Sequence, residues 1–289
     1  MRSKLFVPGS RPELFAKALA SPADAISIDL EDSVVESRKA EARATVRAFL
    51  LSAEVRSTSR IIIVRVNALH TPHFEADVMA IAQPALALLN LPKPESAADV
   101  HAAVAVLERA ETVNGVDRPM QVLANIETPR GLRFAAEIAA AHPRIAGLQL
   151  GYLDLFGSLG IDRQDAAGVH ATLFAVRTAA GSAGAFAYDG AFADVQDTQG
   201  FRAEAEMARR LGYWGKSCIH PSQIAVANEV FRPRDDEIAY ALRVIEASHL
   251  TNGRGVGAFM LDGRMIDVPI VRRAEAIVAM SRQMRLDSR

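Results

Sequence analysis

Short apolar runs recur along the chain, each followed by a polar break and then by a stretch with helical spacing. The runs at residues 5–7, 25–30, 61–66, 85–91, 121–126, 146–150, 185–188 and 215–219 have strand length and read as buried strands. Helical patterns fill residues 12–20, 36–51, 74–82, 97–112, 132–141, 166–180 and 201–211. Strands that alternate with helices imply parallel strands joined by crossovers. Eight such units in a chain of this length match an α/β (β/α)8 (TIM) barrel. A doubly wound open sheet is the alternative, weakened by the absence of Gly-x-Gly-x-x-Gly after the first strand.

The remainder exceeds what a barrel needs. Residues 235–250 read as an amphipathic helix, residues 252–267 as a hairpin turning at Asp262-Gly263, and residues 271–280 as a last helix. The expected division is a barrel over residues 1–232 and a helix–hairpin–helix extension over residues 233–289. The glycine cluster in the hairpin lacks Gly-Lys-Ser/Thr, so it is not a phosphate loop.

Composition narrows the picture. Half of the 289 residues are hydrophobic and 6% are aromatic, so the core is aliphatic. A net charge of -1 gives no general attraction to nucleic acid or to an anionic membrane. One cysteine, Cys218, allows no internal disulfide and fits a reducing cytoplasm. The first residues are too poor in apolar side chains for a signal peptide, and no run of about 18 apolar residues predicts a membrane span.

Barrel enzymes carry their chemistry at the C-terminal ends of the strands. Here those ends are charged: Arg11 after the first strand; Asp29, Glu31 and Asp32 after the second; Arg65 and Asn67 at the third; Lys93 and Glu95 at the fourth. Glu127 and Asp154 end the fifth and sixth, Asp189 the seventh, and His220-Pro221 the eighth. Thr128 can cap the helix that follows Glu127, and Pro129 suits its first turn. Two acids at consecutive strand ends point to a hard divalent cation such as magnesium. The plainer alternative is a pair of helix-cap acids.

The motifs at these ends resemble those of a known family. Leu5-Phe6-Val7-Pro8-Gly9-Ser10-Arg11-Pro12, Asp29-Leu30-Glu31-Asp32-Ser33-Val34, Arg65-Val66-Asn67, Pro92-Lys93, Ile126-Glu127-Thr128, Asp154-Leu155, Lys216-Ser217-Cys218-Ile219-His220-Pro221-Ser222-Gln223 and Asp262-Gly263-Arg264-Met265-Ile266-Asp267 resemble the citrate lyase beta-subunit family and its malyl-CoA and citramalyl-CoA lyase relatives, within the HpcH/HpaI aldolase superfamily. The resemblance runs from residue 2 to about residue 270. It implies a (β/α)8 barrel, Mg2+ with Mn2+ as the alternative, and reverse Claisen cleavage of a 3-hydroxyacyl-CoA thioester to an acyl-CoA and a 2-keto acid. One departure is visible at Gly151-Tyr152-Leu153, bulkier than in many relatives.

The resemblance also assigns roles. Glu127 and Asp154 would hold the metal, while Glu31 and Asp32 orient its waters. Arg65 would stabilise the enolate oxygen or clamp the keto-acid carboxylate, or else form a strand-end ion pair with Glu31 or Asp32. Asp29 belongs to the same acid cluster, or else merely caps a turn. Arg11 and Lys17 either meet the phosphates of coenzyme A or form a solvated basic pair, and Lys93 either lines the site or belongs to a rigid Pro-Lys-Pro turn. His220 packs or hydrogen-bonds at the barrel top, and Trp214 and Cys218 are structural. Asp262 would exchange a proton with the enolate carbon, reaching the barrel of a neighbouring subunit in a symmetric homo-oligomer, a trimer or hexamer. Two other functions stay open: a metal-dependent pyruvate-type aldolase on free keto acids, and a citrate lyase beta subunit active only with an acyl carrier subunit.

Overall fold

The computed structural model describes residues 1–252 and 258–287. The chain separates into two compact units, Met1–Phe231 and Arg232–Arg289. In the first, eight parallel strands stand in the order β7-β6-β5-β4-β3-β2-β1-β8. They are β1 (Ser3–Pro8), β2 (Ala25–Asp29), β3 (Ile61–Arg65), β4 (Leu88–Pro92), β5 (Gln121–Ile126), β6 (Ile145–Leu150), β7 (Phe186–Tyr188) and β8 (Lys216–Cys218). The sheet closes on itself where Asp189 N–H donates to Gly215 O at 2.9 Å and Ser217 N–H to Asp189 O at 3.0 Å. This is the expected (β/α)8 barrel, with helices outside and aliphatic strands between. Every residue of β2 and β4 is buried, which is why those runs are continuous rather than alternating.

Register sets the site. Asp29 lies opposite Arg65 across β2 and β3. Asn125 lies opposite Gln149, and Gln149 opposite Tyr188, across β5, β6 and β7. Polar side chains from neighbouring strands therefore meet in one layer near the C-terminal mouth.

Local chemistry explains the helix boundaries. Thr128 Oγ1 accepts from Gly131 N at 2.9 Å, and Pro129 opens that helix, as expected. The stretch expected as one helix over 132–141 is two, Pro129–Arg133 and Ala135–Ala140, broken at Phe134. β4 starts at Leu88 rather than at residue 85, because Leu86 N–H bonds back to Gln83 O in a turn around Pro84. Three helices were not expected: Ala53–Ser57, Tyr152–Leu159 and Pro221–Val230. The second matters most, since Asp154 sits in its first turn rather than on the strand end. Gly160, at φ 66°, ends that helix in the left-handed conformation glycine favours.

The second unit packs the helix Asp235–Asn252 and the helix Val268–Asp287 with a hairpin of β9 (Phe259–Leu261) and β10 (Arg264–Ile266). Asp262 and Gly263 have φ of 49° and 74°, the two positive angles that a type I′ turn requires. Its core is small: Ala241, Val244, Ile266, Ala274 and Val278. The glycine cluster expected within the hairpin falls largely at residues 253–257, outside the described residues. No helix among the described residues is long and apolar enough to cross a membrane.

Candidate active site

A cavity of about 490 Å³ opens at the C-terminal ends of the strands, with Asp29, Arg65, Asn125, Glu127, Tyr152 and Asp154 in its wall. Glu127 follows β5 directly and is 2% exposed. Its Oε1 accepts from the Lys93 N–H at 3.1 Å, and its Oε2 from Asn125 Nδ2 at 2.5 Å. Gly151 makes room for it, since a Cβ there would collide with Glu127 Oε2. Burial, with Glu31 nearby, pushes the Glu127 carboxyl up to about 8 despite Arg65 and Lys93. Burial and the neighbouring acid outweigh the two cations near it.

Asp154 is more open, its side chain 44% exposed. It points from the helix start, where an anion is favoured by the unpaired N–H groups, and its Oδ2 is 3.6 Å from Lys93 Nζ. Lys93 also reaches Glu31 Oε1 at 3.0 Å and Asp32 Oδ1 at 3.8 Å. From the Pro-Lys-Pro turn the lysine thus meets the site acids, while standing outside the cavity lining itself.

Arg65 is tied down more firmly than expected. Its Nε and Nη2 donate to both oxygens of Asp29 at 2.7 and 2.8 Å. Its Nη1 stands 2.9 Å from Glu31 Oε2 and 3.2 Å from Asp32 Oδ2. The ion pairing with Glu31 and Asp32 is present, and the strongest partner is Asp29. Asp29 still caps a turn, accepting from Glu31 N and Ser33 N. Burial alone would raise the Asp29 carboxyl, but Arg65 and these donors hold it below its usual range. Burial leaves Glu31 raised, and its Oε2, although ion-paired, has no well-formed hydrogen bond.

Two buried networks back this wall, and sequence reasoning missed both. In one, Lys4 Nζ donates to Gln149 Oε1, Gln149 Nε2 donates to Asn125 Oδ1 at 2.8 Å, and Asn125 carries the chain to Glu127. In the other, Tyr152 Oη donates to Asp189 Oδ1 at 2.9 Å, and Lys216 Nζ bridges Asp189 Oδ2 at 2.6 Å and Glu204 Oε1 at 2.5 Å. Arg163 adds a second cation to Glu204 at 2.7 Å and lies over the Tyr152 ring. The sequence offered a lysine inside each apolar strand and Asp189 at a strand end, but nothing that joined them. Tyr152, noted for its bulk, thus forms a pinned wall of the cavity, with exposed Leu153 beside it.

Other expected residues lie apart. Arg11 pairs with Glu13 at 2.8 Å, and both Arg11 and Lys17 are exposed and outside the cavity wall. His220 caps the helix Pro221–Val230 through Nδ1, Cys218 is buried, and Trp214 stacks on Phe186. Asp262 belongs to the second unit, where it pairs with Arg243 at 3.0 Å.

The wall suits a divalent cation. Asp29, Glu31, Asp32, Glu127 and Asp154 bring five carboxylates to the mouth, against the two cations Arg65 and Lys93. Among the described residues no three His, Cys, Asp or Glu side chains form a ready-made metal cluster. Two carboxylates lining one cavity, Glu127 and Asp154, fit magnesium, which keeps several waters and needs few protein ligands.

Comparison with known proteins agrees with the geometry. The family model HpcH/HpaI aldolase/citrate lyase matches residues 2–221. The L-malyl-CoA/beta-methylmalyl-CoA lyase of Cereibacter sphaeroides is 35% identical, the match covering 96% of this chain and 93% of that protein. The citrate lyase subunit beta of Leuconostoc mesenteroides subsp. cremoris is 33% identical over 97% of this chain and 93% of its own. A crystal structure of CitE from Mycobacterium tuberculosis, in complex with magnesium, acetoacetate and coenzyme A, is 35% identical, with a TM-score of 0.76 over 97% of this chain and 99% of that one. The chain belongs to the HpcH/HpaI aldolase/citrate lyase family.

Proposed function

We propose that the protein is a magnesium-dependent carbon–carbon lyase that cleaves a 3-hydroxyacyl-CoA thioester of the citryl-, malyl- or citramalyl-CoA type to an acyl-CoA and a 2-keto acid. The observation that carries this is the pairing of buried Glu127 with open Asp154 on one cavity wall, beside a fixed guanidinium. Mn2+ is the alternative metal. When bound, the cation supplies Lewis-acid polarisation of the substrate hydroxyl, lowering its pKa.

The chain's own residues account for the rest. Glu127 and Asp154 would hold the ion, with Glu31 and Asp32 placed to accept from its waters. Arg65 cannot deprotonate, and its Asp29 clamp fixes the charge beside the cavity where an enolate oxygen develops. As the carbon–carbon bond breaks, its electron pair passes to the thioester as an enolate, the hydroxyl proton passes to solvent water, and the hydroxyl carbon leaves as the carbonyl of the keto acid. The enolate carbon then takes a proton, a task the reading gives to Asp262 from a neighbouring subunit of a homotrimer or hexamer. Arg11 and Lys17, exposed at the first loop and helix, suit the phosphate end of coenzyme A.

The test is an assay of the purified chain alone on malyl-, citramalyl- and citryl-CoA, with Mg2+ and after chelation. Turnover that vanishes with EDTA, and in Glu127→Gln, is expected. Turnover of free keto acids only, with no heat on adding coenzyme A, would indicate the aldolase. Activity appearing only with an acyl carrier subunit would indicate the complex-bound form. The shared site is tested by mixing Asp262→Ala with Glu127→Gln under subunit exchange. Recovered activity is expected, and none in proven mixed oligomers sinks that assignment.

A further inference from the structure

Lys93 combines three features that a turn residue does not need. Its φ of 52° puts a residue with a side chain in the left-handed region, a strained conformation that surrounding structure must over-determine. Pro94 follows it and crowds its backbone further. The conformation aims both ends of the residue at carboxylates: the N–H at Glu127 Oε1 at 3.1 Å, and the ammonium at Glu31 at 3.0 Å and Asp154 at 3.6 Å.

The two cations of the site differ in freedom. Arg65 is 12% exposed and held by both oxygens of Asp29. Lys93 is 30% exposed, on a flexible stem, and it touches Asp154 without a short bond. Its ammonium stands next to the open acid of the pair that would hold the metal.

We propose that Lys93 is a displaceable internal counter-ion: its ammonium bridges Glu31 and Asp154 and must move aside when a divalent cation binds at Glu127 and Asp154. This rests on the metal reading above. The lysine keeps the acids from repelling one another before the ion arrives, and it sets metal affinity by competing for Asp154.

Competition gives a sign that structural damage would not. Two positive charges a few ångströms apart repel, so removing the ammonium should tighten Mg2+ binding, by roughly tenfold. The experiment is calorimetric titration of MgCl2 into the full chain without substrate, for wild type, Lys93→Gln, Lys93→Gly and Lys93→Arg. Glycine adopts the left-handed backbone freely, so Lys93→Gly removes the charge and relieves the strain together. Tighter binding in Lys93→Gln and Lys93→Gly, with Lys93→Arg close to wild type, is the expected result. Binding by wild type that both charge-removing variants merely equal or weaken overturns the proposal alone. No Mg2+ binding by wild type or any variant overturns the metal reading and the proposal with it.

Discussion

Lys4 and Lys216 stand on adjacent strands, β1 and β8, and neither exposes any surface. Their proton affinities move in opposite directions. Burial takes Lys4 well below the ordinary lysine range, with Arg65 pushing the same way. Burial acts on Lys216 too, yet Asp189 and Glu204 leave it raised. Lys4 finds one amide oxygen and the Phe6 ring, 4.3 Å from Nζ. Lys216 finds two carboxylates and the Gly190 carbonyl. Equal burial with unequal partners teaches that the partner decides whether a buried amine stays charged. The division also separates two jobs. The Lys216 cluster closes the barrel between β7 and β8 and pins Tyr152, while the Lys4 chain runs through amides to Glu127. Within the Lys216 cluster the two acids differ for the same reason. Glu204, with Arg163 as a second cation, is held low despite its burial, whereas fully buried Asp189 is pushed up.

The largest effect expected from breaking this comparison is on stability. Lys216→Met leaves Asp189 and Glu204 facing each other without their shared cation. Breaking a buried pair from one side costs about 3–5 kcal/mol, measurable by urea unfolding at pH 7. The pH dependence gives the sign. Acids stripped of their cation bind protons more readily in the folded than in the unfolded chain, so the deficit should shrink as pH falls from about 8 to 5. Wild type should show the converse at high pH. A raised Lys216 contributes fully below the unfolded lysine pKa of about 10.4 and loses that contribution as pH climbs past it. A deficit under about 1 kcal/mol at pH 7 would mean that Arg163 and Tyr152 already satisfy both acids.

Much of this barrel was legible before the structure, and for a physical reason. Strands covered on both faces must be apolar throughout, so all eight stood out, as did the charged residues at their ends. The Asp262-Gly263 turn was legible from turn chemistry alone. Asp154 does follow β6, but in the first turn of the helix Tyr152–Leu159, which the short apolar stretch Tyr152, Leu153, Leu155 and Phe156 did not announce. Arg65 showed as a site cation, but its commitment to Asp29 depends on the register between β2 and β3, which no single run of residues encodes. The buried networks were out of reach for the same reason. Lys4 meets Gln149 across 145 positions of sequence, and a lysine in an apolar run carries no mark of whether its partner will be an amide or an acid.

The smaller effect lies on the Lys4 side. Lys4→Met replaces an amine that burial already disfavours with an apolar chain of similar length. Gln149 Oε1 loses its donor, a cost of about 1–3 kcal/mol for a buried acceptor left bare. Relief from burying the amine offsets part of that, so the net change at pH 7 should fall within about 2 kcal/mol, less than for Lys216→Met. The pH signature again has a definite sign. A lysine lowered in the folded chain costs stability at neutral pH, and the cost fades as pH rises toward the unfolded pKa of about 10.4. The wild type should therefore gain stability relative to Lys4→Met between about pH 8 and 10, opposite to the trend Lys216 imposes above that range. Urea unfolding of the two proteins side by side isolates the difference, because their other four lysines are common to both. Glu127 supplies a second readout: with Gln149 no longer held by Lys4, Asn125 is freer to turn from Glu127 Oε2, and Mg2+ affinity should weaken a few-fold. A stability difference that stays flat with pH, together with unchanged Mg2+ affinity, would reduce Lys4 to a space-filling residue with no hold on the site.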